Sequence, residues 1–169
     1  LFALLGVLGV VLSGSVFSVA NIAGIAPNLL LLIALCVVFL EKTPAGIIFA
    51  AGSGLLYDIM FSYYIGINAL SCVLAVSIAY AILRKMTKVR PVFLAGVGFG
   101  AYIVQETVTA AVVAAAGYDF NFFYMLARYI LPGALLNAAL MIPAYYLMRL
   151  LYLRNWMTPT KSVYDDFLG

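Results

Sequence analysis

PVFLAGVGFGAYIVQETVTAAVVAAA, residues 91–116, decides the fold class. It runs from Pro91 to Ala116 with a single charged side chain, Glu106. The hydrocarbon core of a bilayer is about 30 Å thick, and a helix crosses it in roughly 20 residues. This stretch is long enough to span, and its alanines, valines and glycines have no business on the surface of a soluble domain. The same reading extends outward in both directions. Further apolar stretches occupy Phe2–Ala20, Pro27–Leu40, Pro44–Phe61 and Ile65–Leu83 before it, and Phe122–Tyr152 after it. Composition agrees: 67% of the 169 residues are hydrophobic and 9% are charged. Soluble domains carry roughly 45–50% and about 25%. Too little polar surface exists to coat a globule in water, so lipid must solvate much of the exterior.

The expected architecture is an all-α membrane protein, with six transmembrane helices in one bundle over residues 1–154 and a short tail over 155–169. The first stretch has no basic leader and no cleavage-type end, so it is read as a span and not a signal peptide. Pro27, Pro44 and Pro91 stand at first-turn positions, where the missing amide hydrogen costs nothing. Thr43 is the expected N-cap before Pro44. The second stretch is short for a span, so it is either a helix tucked into the bundle or one extended by the Ala23–Ala26 segment. Trp156, beside Arg154, suits the headgroup level.

Orientation follows from charge. Of the 9 Lys/Arg residues, all but Arg128 fall on one side of a six-span bundle. They are Lys42, then Arg84, Lys85, Lys88 and Arg90, then Arg149, Arg154 and Lys161. Basic loops stay cytoplasmic, so both termini are expected there, in a bacterial inner-membrane, multi-pass protein. Net charge is +3, but topology places it, and no nucleic-acid footprint is implied.

Enzyme classes fall away quickly. There is no histidine, which removes the commonest general base and metal ligand and any Ser/His or Cys/His pair. Cys36 and Cys72 sit inside apolar runs and read as packing residues. Gly96-x-Gly98-x-Gly100 lacks the strand and lysine of a phosphate loop. No catalytic residue, cofactor or metal site is expected.

Polar groups at membrane depth are the functional suspects. Glu106 lies ten residues before Ala116, roughly 15 Å down at 1.5 Å per residue. Arg128 lies at a similar depth, roughly 12 Å, if the last helix starts near Phe120. They could form an ion pair; alternatively Arg128 snorkels to the headgroups and Glu106 is protonated or faces water. Asn137, between Pro132 and Pro143, could bridge helices or satisfy a carbonyl freed by proline. Gly46, Ala50, Gly54 and Asp58 recur at intervals of four and share a face suited to close helix approach, as do Gly96 and Gly100. Asp58 also reads as an acid that terminates a span, and Asn68 as a cap or turn residue. Phe61, Tyr63, Tyr64, Phe120, Phe122, Phe123 and Tyr124 form an aromatic belt at the outer interface.

Several of these segments together resemble the MreD family of rod-shape membrane proteins. The resemblance rests on Ala26-Pro27-Asn28 followed by Leu29–Leu32, on Gly52-x-Gly54-Leu55-Leu56-x-Asp58, on Ile65-Gly66-Ile67-Asn68-Ala69-Leu70, and on the stretch from Pro132 to Asn137-Ala138. Asn28 departs from the aspartate that many relatives carry. The resemblance implies a non-enzymatic part in the elongation machinery. An MreC-like bitopic protein would be the direct partner, with MreB, RodA and a penicillin-binding transpeptidase in the wider complex. The chief rival is the substrate-binding subunit of an energy-coupling-factor vitamin transporter, whose fold MreD-like proteins resemble. There Glu106, Asn137, Asp58 and the outer aromatics would line a pocket. An intramembrane enzyme has the least support.

Overall fold

A computed structural model describes residues 6–7, 9–11, 13–14, 27–41, 43–62, 65–85, 91–117 and 121–153. Among them every regular element is helical. The helices are α1 (Leu29–Glu41), α2 (Ala45–Phe61), α3 (Ile67–Leu83), α4 (Pro91–Ala115), α5 (Phe122–Met125) and α6 (Leu131–Leu153). A π-helical segment, Leu126–Ile130, joins the last two. The described parts of residues 6–14 are helical as well. The tail, including Trp156, lies outside the described residues, as do Lys42, Lys88, Arg90, Arg154 and Lys161.

Two helices, Val92–Ala115 and Phe122–Leu151, are long and apolar enough to cross a membrane. The other three apolar helices are shorter, and α1 is the extreme case at 13 residues. It would cover only about 20 Å. Its sequence is apolar on every side, which suits a helix enclosed on every side. Leu31, Ala34, Leu35, Cys36, Val37 and Val38 have no exposure at all. The helix touches α2, α3, α4 and α6, so it is the axis of the bundle. Asn28 starts it: its side-chain Oδ1 accepts from the backbone N–H of Leu31 at 3.1 Å, the geometry of an N-cap.

Around this axis the other helices pair as hairpins. α2 and α3 pack closely, as do α4 and α6. Glycines set the approach. A Cβ on Gly46 would collide with the side chain of Val38 and lie 2.9 Å from the carbonyl oxygen of Ala34. One on Gly54 would lie 2.7 Å from Cα of Ala69. The N-terminal segment runs parallel to α2, since Gly6 faces Phe49 and Ser53 while Gly14 meets the ring of Phe61. The outward faces are greasy. Ile48, Ile59, Val92, Phe123, Leu135 and Leu147 are all strongly exposed, a coat suited to lipid.

Three local expectations change. Thr43 does not cap α2: Pro44 takes the cap position and Thr43 Oγ1 donates instead to Glu41 at 3.2 Å. Gly96 and Gly100 make no close approach to another described helix, since nothing among the described residues lies within 4 Å of a Cβ on either. Gly98, between them, is the close-contact glycine, 3.4 Å from the Met141 side chain. The last apolar stretch is not one uninterrupted α-helix. Pro132 has no N–H to give the carbonyl four residues back, and the ladder widens before it, with the N–H of Leu131 reaching the carbonyl of Leu126.

Candidate functional site

Polar side chains gather where α1 and α3 begin, and the first of them is Asp58 near the end of α2. It is 1% exposed, yet it is fully engaged. Its Oδ2 accepts from the backbone N–H of Gly66 at 2.9 Å and of Ala69 at 3.1 Å, and its Oδ1 accepts from Ser62 Oγ at 2.9 Å. Gly66 is the N-cap of α3 and adopts φ 101°, a left-handed conformation that favours glycine. The carboxylate therefore caps the following helix from outside it. Two otherwise orphan amides are satisfied and the positive end of the helix dipole faces a negative group. The Leu-x-Asp and Ile-Gly-x-Asn-Ala segments noted in the sequence are two halves of one device.

Asn68, in the first turn of α3, does not cap it. Its Oδ1 accepts from Gln105 Nε2 on α4 at 3.0 Å. Gln105 is 1% exposed, and its own Oε1 has no hydrogen-bond partner. Gln105 carries no signal of its own in the sequence, where it reads as a neighbour of the charged Glu106.

Asn137 on α6 is completely buried. Its Nδ2 donates to the carbonyl of Gly133 at 3.0 Å, and its Oδ1 accepts from the backbone N–H of Asn28 at 3.2 Å. It bridges α6 to the start of α1. Asn28 thus uses its side chain to cap its own helix and its backbone to tie that helix to α6.

Both helix starts lie part-way along the bundle. Gly98 faces Met141 and Tyr102 presses on Gly133, so α4 and α6 run antiparallel, with Asn137 near the level of Tyr102. Gln105 marks the level of α3's first turn. Beyond it α4 continues for another ten residues to Ala115, roughly 15 Å. Among the described residues, the end opposite Arg84 and Lys85 is therefore stepped: the α4–α6 hairpin extends beyond a polar floor made by the starts of α1 and α3.

Glu106 and Arg128 do not meet. Neither makes a hydrogen bond or ion pair among the described residues. Ile130 is 1% exposed and lies on the buried side of the π segment, whereas Arg128, two residues earlier, is exposed. At about 100° per residue or less, two residues place Arg128 on the other side of the helix. Of the aromatic belt, Phe61, Phe122, Phe123 and Tyr124 are exposed; Tyr63, Tyr64 and Phe120 lie outside the described residues. Cys36 and Cys72 are free thiols in the core. Among the described residues no group of His, Cys, Asp and Glu could hold a metal ion.

Among the described residues the arrangement is therefore one of caps and ties. One family profile, described as rod shape-determining protein MreD, matches residues 1–154. The chain belongs to the MreD family. No curated protein matches it, and no solved structure does. The match spans the whole helical region, so this MreD chain is a rod-shape-determining membrane component. In this chain the Pro27-Asn28 and Leu56-x-Asp58 segments supply the caps of α1 and α3, so what sequence shows as motifs serves the bundle's own architecture.

Proposed function

We propose that this MreD chain is a non-catalytic scaffold of the bacterial elongation machinery in the inner membrane. It spans the bilayer six times, with its basic end and both termini in the cytoplasm, and holds the single transmembrane helix of an MreC-like protein. Through that partner it acts on lateral peptidoglycan synthesis together with MreB, RodA and a penicillin-binding transpeptidase. The family match over residues 1–154 carries the reading, and it favours this role over a vitamin-binding subunit. The use of the buried polar groups supports it: Asn28, Asp58, Asn68 and Asn137 are engaged in helix caps and cross-ties.

A protein that is nearly all bundle acts through its flanks. Among the described residues nothing lies within 4 Å of a Cβ on Gly96 or Gly100 of α4. Small residues let two helix backbones approach closely in lipid, where packing and not hydrophobicity drives association. The α4 flank is therefore the proposed seat of the partner helix. The test is recovery of the MreC-like protein with tagged MreD from detergent extracts, alongside cell shape. Gly96→Leu with Gly100→Leu is expected to abolish recovery and round the cells while leaving the melting temperature of the isolated chain unchanged. Undiminished recovery would move the partner to another flank. Cells that stay cylindrical when the chain is depleted would end the scaffold reading itself.

A further inference from the structure

Among the described basic residues Arg128 alone stands away from the end that carries Arg84, Lys85 and Arg149. It is exposed, and among the described residues it makes no hydrogen bond or ion pair. Its surroundings are greasy: Phe123, Tyr124, Tyr129, Leu131 and Leu135 are exposed along the same stretch. That stretch belongs to a helical run long and apolar enough to cross a membrane. A cation without a counter-charge on such a flank is costly. The bundle offers it no partner, so the counter-charge must come from what surrounds the bundle.

Position says which group that is. Asn121 caps the start of α5, its Oδ1 accepting from the N–H of Tyr124 at 3.2 Å. Arg128 lies seven residues further on, roughly 10 Å into the helix. Side chains lean toward the N-terminus of their helix, so the long arginine stem runs back toward the headgroup level. Tyr124 lies about one turn away in that direction and Tyr129 directly follows Arg128. The two rings meet edge-on with centroids 6.4 Å apart, and both are exposed. Hydrogen bonds in the π segment run five residues apart, which brings residues four and five apart nearly into line. Arg128 therefore shares one outward patch with the two tyrosines. A guanidinium matches phosphate with two parallel hydrogen bonds, and tyrosine hydroxyls are further donors at the interface. A choline or ethanolamine headgroup would bring a second cation beside the arginine, whereas a glycerol headgroup brings none. We propose that Arg128, with Tyr124 and Tyr129, seats the phosphate of an anionic phospholipid on the outer flank of the last helix. The site is independent of the partner helix placed on α4.

The test reads lipid at this flank alone. Trp156, the single tryptophan, is replaced by phenylalanine, and Leu135→Trp places a reporter below Arg128 on the exposed side. The full chain is reconstituted in phosphatidylcholine mixed with phosphatidylglycerol, one or the other carrying brominated acyl chains that quench tryptophan. Phosphatidylglycerol is expected to be favoured about five-fold, the worth of one basic residue at an anionic surface. Arg128→Gln should bring the ratio to parity, while Arg128→Lys keeps part of the preference. A second measurement needs no change at Arg128: Ile59→Trp, on the exposed side of α2, should report parity, and salt should erode the preference seen from Leu135→Trp. Parity at Leu135→Trp in the chain that retains Arg128, or an undiminished preference in folded Arg128→Gln, would overturn the proposal. So would an equal preference at Ile59→Trp. Loss of the preference on adding inorganic phosphate at constant ionic strength would give the seat to a soluble anion and overturn the lipid assignment.

Discussion

Asp58 shows how one residue can decide whether a hairpin closes. An aspartate buried to 1% exposure is tolerable only if its charge is met, and here three hydrogen bonds and a helix dipole meet it. Hydrogen bonds to a charged group contribute about 1.5–3 kcal/mol each, and an anion at a helix N-terminus about 0.3–1 kcal/mol more. Asp58→Ala removes the acceptors and strands the amides of Gly66 and Ala69, so a loss of at least about 3 kcal/mol is expected. Asp58→Asn keeps one oxygen for those amides and should cost about 1–2 kcal/mol. Thermal unfolding in detergent, followed by helical circular dichroism, checks both. A wild-type melting temperature in Asp58→Ala would mean that α3 is held at its start by something else. The sequence exposed this residue as an acid on a small-residue face but not its task. Its partners are 8 and 11 residues on, across a corner whose closure depends on Gly66 at positive φ. Asn137 was likewise visible as a buried bridge, whereas its acceptor role for Asn28 belongs to a contact 109 residues apart.

At the scale of the element, α2 carries a controlled comparison within one helix. Gly54 and Gly52 are one helix, two residues and two environments. A Cβ at Gly54 meets the backbone of Ala69 at 2.7 Å, while one at Gly52 meets nothing within 4 Å. Backbone cannot swing aside as a side chain can, so Gly54→Ala must push α2 and α3 apart, at a cost of about 1–3 kcal/mol. Gly52→Ala only replaces a poor helix former with the best one and should gain up to about 1 kcal/mol. Opposite shifts in melting temperature are the expected result; equal shifts would show that the α2–α3 approach is not set by Gly54. The same logic marks the limit of reading faces from spacing. Gly46, Ala50 and Gly54 fall on the buried side of α2, against α1 at Gly46 and α3 at Gly54, but Gly96 and Gly100 have identical spacing and meet nothing among the described residues, because interval alone fixes which residues share a face and not where that face turns. The last apolar stretch teaches a related lesson. Pro132 announces a disturbed ladder, yet the form it takes, a π segment that buries Ile130 and turns Arg128 outward, depends on the packing of α4 against it. Matching the depths of Glu106 and Arg128 was sound arithmetic along the axis; it carried no information about rotation around it.

For the molecule as a whole, direction and charge constrain one another. The N-terminal segment runs parallel to α2, while Gly98 and Tyr102 set α4 antiparallel to α6. Alternate crossings of a membrane require both relations. The described basic residues Arg84 and Lys85 then stand at the end of α3 away from the polar floor, and Ala116 stands at the far end of α4. Basic residues resist translocation, so the end bearing Arg84 and Lys85 should be cytoplasmic and the stepped end should face outward. Single cysteines test this once Cys36 and Cys72, both buried, are replaced by alanine. In intact spheroplasts a membrane-impermeant maleimide is expected to label Ala116→Cys at once and Lys85→Cys only after permeabilisation. The reverse pattern would invert the bundle.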